Sequence, residues 1–194
     1  MAYFPFHGEQ IRLRTFEVED ISTLHAYLNH PELAGRRYIP WGFPGDFPLS
    51  KRQVEAIYNK WNEEKKGIHL AIVLRGTLEL VGHAECDWGW DPHCPQIAVV
   101  IDPTHQGKGY GSEVVQTLVG YFFKNTPAHN INGWLAEWNQ AARGFAATHG
   151  FKESGRWRRE GIRDGKSYDG ILVDILRPEW VERAEVRGGV EDAD

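Results

Sequence analysis

Apolar positions along the chain recur at two spacings, one of two residues and one near three and a half, and the segments that carry them alternate. Residues 11–16, IRLRTF, set Ile11, Leu13 and Thr15 against Arg12, Arg14 and Phe16, the alternation of a half-exposed strand. A helical segment follows from about Asp20 to Asn29 and ends near Pro31. Residues 34–49, AGRRYIPWGFPGDFPL, are too rich in Pro and Gly for regular structure and predict a loop with unusual aromatic content. Ser50 and Gln53 have the spacing of a capping box, and Val54, Ile57, Tyr58 and Trp61 then fall at helical intervals, predicting a helix to about Lys66 that Gly67 stops. Residues 68–75 and 78–88, joined by a short turn at Gly76-Thr77, read as an antiparallel hairpin.

Residues 96–102, QIAVVID, are almost continuously apolar, as expected of a strand buried on both faces. Gly107, Gly109 and Gly111 come directly after it. From Ser112 onward Val114, Val115, Leu118, Val119 and Phe122 form an apolar stripe at helical spacing. Residues 131–138 predict a strand, and residues 139–149 a helix with Asn139 as N-cap and Gly150 as C-terminal stop. Residues 151–163 and 166–176 predict two strands joined at Asp164-Gly165. From Val181 the chain is polar and Gly-rich and is expected to be a loose tail.

Composition narrows the functional classes. With 194 residues, 41% of them hydrophobic, the chain has material for one domain with a sizeable core. A net charge of −5 without a long basic block argues against a general nucleic-acid-binding surface and favours a small-molecule or protein partner. No apolar run has membrane-spanning length, and the opening MAYFPFHGEQ lacks the basic start and apolar stretch of a secretory signal, so no membrane partner and a cytoplasmic location are expected. Cys86 and Cys94 lie near His83 and His93, but a Cys-x7-Cys spacing matches no usual zinc pattern; reduced thiols and no metal are expected. A homodimer is the general expectation for a soluble homo-oligomer.

The three glycines carry the chemistry. Where a strand feeds a helix through glycines, unpaired N–H groups converge at the helix start and, with its dipole, attract an anion such as a phosphate. A dinucleotide fingerprint requires G-x-G-x-x-G, whereas Gly107, Gly109 and Gly111 are spaced G-x-G-x-G. A P-loop requires a glycine where Glu160 stands ahead of Gly165-Lys166-Ser167. Gln106-Gly107-Lys108-Gly109-Tyr110-Gly111 resembles instead the Q/R-x-x-G-x-G/A signature of the GNAT superfamily of acyl-CoA-dependent N-acetyltransferases, in the family's place between fourth strand and following helix. Asn139-Gln140-Ala141-Ala142 through Gly150-Phe151 is similar to the family's later N-x-x-(A/S) helix and its G-F close. The ending DGKSYDGILVDILRPEW resembles that of the ribosomal-protein (RimJ/RimL-like) branch.

The resemblance implies an α/β (α+β) domain over residues 1–180, with a mixed, mostly antiparallel seven-stranded sheet and helices on both faces, followed by a polar tail over 181–194. It implies acetyl-CoA as co-substrate and transfer of its acetyl group to a primary amine of a small molecule or protein N-terminus, by direct attack on the thioester. The pyrophosphate would rest on Gln106, Gly107, Lys108, Gly109, Tyr110, Gly111 and Ser112, and the pantetheine along Val99, Val100 and Ile101, with Asn139, Ala142 and Phe145 completing the cofactor set. Relatives commonly carry a glutamate base on the fourth strand; Gln96 stands there, and an amide cannot take up a proton. Ala142 and Ala146 occupy positions where relatives place a serine and a tyrosine. On the neighbouring strand His83, Glu85 and Asp87 share one face by alternation, which makes Glu85 the first candidate base, with Glu137 a further carboxylate. Tyr38, Trp41, Phe43 and Trp88 are the candidate wall for a cationic acceptor. An acyl-CoA-binding or sensing domain without catalysis is the alternative, motivated by Gln96, Ala142 and Ala146.

Overall fold

The computed structural model describes residues 8–34, 48–64, 67–88 and 91–183. Seven strands, β1 (Ile11–Arg14), β2 (Gly67–Leu74), β3 (Leu80–Asp87), β4 (Gln96–Ile101), β5 (Asn130–Ala136), β6 (Lys152–Arg163) and β7 (Lys166–Leu176), form one sheet in the order β1-β2-β3-β4-β5-β7-β6. β1 with β2, β2 with β3, β5 with β7 and β6 with β7 are antiparallel, whereas β4 pairs parallel with β5 through Gln96 and Asn132. Helices α1 (Ile21–Leu28), α2 (Pro31–Ala34), α3 (Lys51–Glu63), α4 (Tyr110–Asn125) and α5 (Gln140–Thr148) complete the expected mixed fold. Two compact units divide the chain: residues 1–87 with 98–118, and residues 88–97 with 119–194.

In the first unit β1 buries Ile11 and Leu13, as the alternation requires, but stops at Arg14. There the guanidinium clamps Asp20 at 2.7 and 2.8 Å, and Asp20 also accepts the Glu17 N–H at 2.8 Å, turning the chain into a short 3-10 turn. Because the strand ends early, Phe16 does not continue the exposed row; it is buried, with its ring 5.1 Å from that of Trp61. Pro31 does not merely follow a helix end but opens α2, as a proline in a first turn can. The Ser50–Gln53 capping box is present, with the Ser50 hydroxyl accepting from Gln53 N at 3.3 Å and Gln53 Oε1 from Ser50 N at 2.8 Å. α3 ends at Glu63, and Gly67, expected as its stop, is the first residue of β2 opposite Asp87.

The β2–β3 connection runs over residues 75–79 rather than two residues. Leu74 and Glu79 close it at 2.9 Å, and Leu78 takes a positive φ of 61° to donate back to Leu74. The core of this unit joins Leu24, Tyr27, Leu28, Val54, Ala71, Val73, Leu80 and Val100, with Ile57, Tyr58 and Trp61 packed against it. β4 departs from expectation: only Ile97 and Val100 are buried, while Ala98, Val99 and Ile101 are half-buried. Its apolar run therefore does not correspond to burial on both faces.

In the second unit β5 pairs with β7 over its full length, placing Ile131 beside Ile175, and β6 pairs with β7 with irregular register between Trp157 and Gly161. Arg177, just past β7, donates to the carbonyls of Phe123, Thr126 and Ala128, satisfying acceptors at the end of α4. A helical segment over 177–183 includes the first residues of the expected tail; 184–194 lie outside the described residues.

Gly82 in β3 is fixed by a close backbone approach. A Cβ there would run into Val100 O and come within 3.0 Å of Ile101 Cα, backbone atoms that cannot swing aside. Gly82→Ala is therefore expected to lower unfolding free energy by roughly 1–3 kcal/mol through overpacking, read as a lower urea midpoint; an unchanged midpoint would contradict this account of the β3–β4 pairing.

Candidate functional site

The end of β4 is tied down before the glycines begin. Asp102 donates its N–H to Val81 O at 2.9 Å, and its carboxylate accepts from the N–H and hydroxyl of Thr104, both at 2.9 Å. The Gln106 side chain reaches back to Ile101 O at 3.0 Å. Gly107 and Gly109 then take φ of 76° and 87°, in the region that L side chains avoid. A Cβ on Gly107 would meet nothing within 4 Å, so handedness and not crowding demands glycine there. α4 opens at Tyr110, two residues earlier than the stripe predicted, so Tyr110, Gly111 and Ser112 form its first turn.

Among the described residues, no acceptor meets the N–H groups of residues 107–112; the first closed bond is Glu113 N to Gly109 O at 3.1 Å. The acid of this first turn does not neutralise them, because the Glu113 carboxylate accepts the Gln10 N–H at 2.9 and 3.2 Å instead. Residues 106–109 are exposed, with Lys108 among them. Six open donors and a helix dipole of about half a charge make a cradle suited to a diphosphate.

A second set of functional groups lies in the same unit. Tyr27 Oη is 2.8 Å from His83 Nδ1, His83 Nε2 is 3.4 Å from Glu85 Oε1, and Glu85 Oε2 is 3.7 Å from His69 Nδ1. The β2–β3 register causes this, setting His69 opposite Glu85 and Ala71 opposite His83. Trp61 covers both imidazoles, stacked on His69 at 5.4 Å and tilted over His83 at 4.9 Å. Burial pushes the Glu85 carboxyl up, but the hydrogen bond and charge of His83, with His69 and Lys60, outweigh it and hold the group below its ordinary value. His69 is pushed down by burial against the pull of Glu85. The Tyr27 phenol is driven well up by burial and by the nearby Asp102, Asp20 and Glu85 charges. Cys86, buried on the same strand, has its thiol pushed up to about 12 and is inert.

In the second unit Asn139 caps α5, its Oδ1 accepting from Ala142 N at 3.2 Å. Ala142 is half-buried, Ala146 buried and Phe145 exposed on this helix. Gln96 is exposed at the start of β4. The Glu137 carboxylate is held by Arg156 at 3.0 Å and by the Asp169 N–H at 3.1 Å. Trp88 sets its ring edge against Phe122 at 5.5 Å. Tyr38, Trp41 and Phe43 fall outside the described residues.

Comparison with known proteins decides the family. Residues 10–152 match the family model of the acetyltransferase (GNAT) domain. The chain belongs to the GNAT acetyltransferases. It is 24% identical over 172 residues to the uncharacterized N-acetyltransferase YnaD of Bacillus subtilis, covering 89% of this chain and 96% of that protein. It is 25% identical over 182 residues to the spermidine N(1)-acetyltransferase of Vibrio cholerae, covering 92% and 99%. The crystal structure of the Vibrio cholerae spermidine N-acetyltransferase in complex with CoA and spermine superposes with a TM-score of 0.75 at 22% identity, covering 90% of this chain and 99% of that one. No helix among the described residues is long and apolar enough to cross a membrane.

Within this GNAT domain, sequence reasoning singled out the glycine loop, His83 and Glu85, and missed Tyr27, Trp61 and His69 as their companions. The alternation of His69 with Leu70 and Ala71 on one arm of a hairpin was available, but a turn of two residues would have paired it with a different partner.

Acidification tests the electrostatics of the cluster. Glu85 has a depressed folded pKa, so its contribution is complete above its unfolded value and is lost as pH falls through the folded one. His69, also depressed, penalises the folded state once pH falls below its ordinary 6.5. Urea midpoints are expected to fall from about pH 7 to about pH 4, with His69→Gln flattening the upper part of the decline and Glu85→Gln the lower part. Parallel declines in all three proteins would refute this assignment.

Proposed function

We propose that this acetyltransferase moves the acetyl group of acetyl-CoA to the primary amine of a cationic small molecule or a protein N-terminus, by direct attack on the thioester. The observation that carries the reading is the row of open N–H groups at residues 107–112, beside glycines whose left-handed backbone turns them outward. The diphosphate of the carrier would accept hydrogen bonds there, with Lys108 as a counter-charge. Asn139, Ala142 and Phe145 are the proposed further contacts, and Val99, Val100 and Ile101 the rail for the pantetheine.

Acyl transfer breaks the thioester C–S bond as the amine forms its C–N bond. The ammonium must first shed one proton, and a second passes from the attacking nitrogen to the departing thiolate, so one proton is released per turnover. Glu85, half-buried between imidazoles and beside the Trp61 ring, is the proposed partner for that ammonium. The spermidine named for the Vibrio cholerae relative supports a polyamine-like acceptor, and the RimJ/RimL-like ending over DGKSYDGILVDILRPEW supports a protein N-terminus. A sensing role without turnover is the second reading, favoured by Ala146, whose buried methyl can donate no proton.

Gly107→Asp separates charge from shape, because aspartate tolerates the left-handed backbone and has open space there. Calorimetry with coenzyme A is expected to show about tenfold weaker binding or worse, near 1.4 kcal/mol, while Gly107→Asn stays within a few-fold of the native chain. Equal affinities in both variants would remove the diphosphate from this loop. Thiol release with a panel of polyamines and peptide amines distinguishes the two readings: tight coenzyme A binding with no turnover on any of them leaves the sensor.

A further inference from the structure

Two nitrogens and a carboxylate in the first unit are arranged for a task that binding alone does not need. Tyr27 is buried, and its hydroxyl, kept protonated by its surroundings, hydrogen-bonds His83 Nδ1 at 2.8 Å. With Nδ1 engaged by Tyr27, His83 presents Nε2 to Glu85 Oε1 at 3.4 Å. One carboxylate oxygen is thereby occupied, and the other points at His69 Nδ1, 3.7 Å away. This His69 nitrogen is buried and has no hydrogen-bond partner among the described residues. The second His69 nitrogen, Nε2, lies at the start of β2, where a Cβ on Gly67 would be 3.5 Å from it. Trp61 stacks on the His69 imidazole with ring centroids 5.4 Å apart.

The acetyl-transfer reading supplies a proton that must leave a covered site, and resting on that reading we propose that Glu85 and His69 form a two-step relay for it. The acceptor ammonium gives its proton to Glu85 Oε2, Glu85 passes it to His69 Nδ1, and His69 releases a proton from Nε2 to water at the Gly67 end of β2. The carboxylate ends each cycle ionised and His69 ends it neutral with its proton on Nδ1, so the imidazole turns over to present a bare nitrogen to Glu85 before the next cycle; no co-reactant is consumed. His83 and Tyr27 are positioning residues that keep Glu85 turned toward His69. A carboxyl held below its usual range sheds the proton readily, and an imidazole lowered by burial passes it on to neutral water. The remaining charged groups around the line are Asp20 before α1, Lys60 on α3, Glu64 after it, Asp87 on β3 and Asp102 after β4.

The test uses the full chain and two readouts. In NMR titrations of the imidazoles, Glu85→Gln is expected to move the His69 midpoint to lower pH; an unmoved midpoint overturns the coupling whether or not turnover is measured. In kinetics with the best amine of the panel, His69→Gln is expected to lower kcat about a hundredfold, shift the acid limb of its pH profile and leave coenzyme A affinity unchanged. Free imidazole is expected to restore part of the lost rate in His69→Ala, and Tyr27→Phe to shift the same limb by less. Native acetylation with an unaltered profile in His69→Gln and no imidazole rescue overturns the relay and spares the acetyltransfer reading. Failure of the native chain to acetylate any amine, with coenzyme A bound, removes that reading and the relay together.

Discussion

Six main-chain donors that meet no acceptor among the described residues, at the mouth of a sixteen-residue helix, are the constraint around which the first unit is arranged. Exposed N–H groups of this kind are ordinarily satisfied by caps or water. Here three nearby side chains are committed elsewhere: Asp102 to Thr104, Gln106 to Ile101 O, and Glu113 to Gln10. Each of those bonds also fixes the loop's path, so side chains able to cap the helix are the ones that hold it open. The positive φ at Gly107 and Gly109 completes the arrangement by turning successive N–H groups to one side. An anion arriving there gains hydrogen bonds of roughly 0.5–1.5 kcal/mol each without displacing a partner among the described residues.

The same economy of backbone sets the second cluster. Gly82 lets β3 approach β4 at Val100, and one residue further along β3 the register places His83 beside Ala71, with Glu85 facing His69 two residues beyond. A one-residue slip between β2 and β3 would put His69 on one face and His83 with Glu85 on the other. The five-residue turn over 75–79, with Leu78 in the left-handed region, is therefore more than a connection: it determines which ionisable groups meet. Trp61 arrives from α3, whose start is set by the Ser50–Gln53 capping box. A surface cap and a hairpin turn thus jointly position a buried electrostatic network.

Local signals carried most of the order of elements into the sequence. The capping box at Ser50, the stripe from Val114 to Phe122 and the Asn139 cap are each written within four to nine residues, and the structure reproduces them. What failed depended on non-local partners. Arg14 ended β1 early because Asp20 was within reach, and Phe16 changed sides as a result. β4 looks fully buried from its composition, yet only Ile97 and Val100 are. The glycine loop was readable because its chemistry is backbone and contiguous. Tyr27, Trp61 and His69 were not, because they come from three elements and become a site only when β2 and β3 adopt one particular register.

Proton traffic explains why a carboxylate at Glu85 makes chemical sense despite its depressed pKa. A carboxyl held low is a poor terminal base, since it cannot retain a proton taken from an ammonium. It is, however, a good intermediate: negative enough to draw in a cation beside an indole ring, and acidic enough to surrender the proton at once. The imidazole across the strand pair then becomes the group that matters, because burial weakens its hold on the proton and favours release to water. With the amide of Gln96 at the start of β4 unable to take up a proton, the proposed relay gives the reaction its acceptor on the β2–β3 pair, at the cost of requiring that Tyr27 and His83 hold the carboxylate in place.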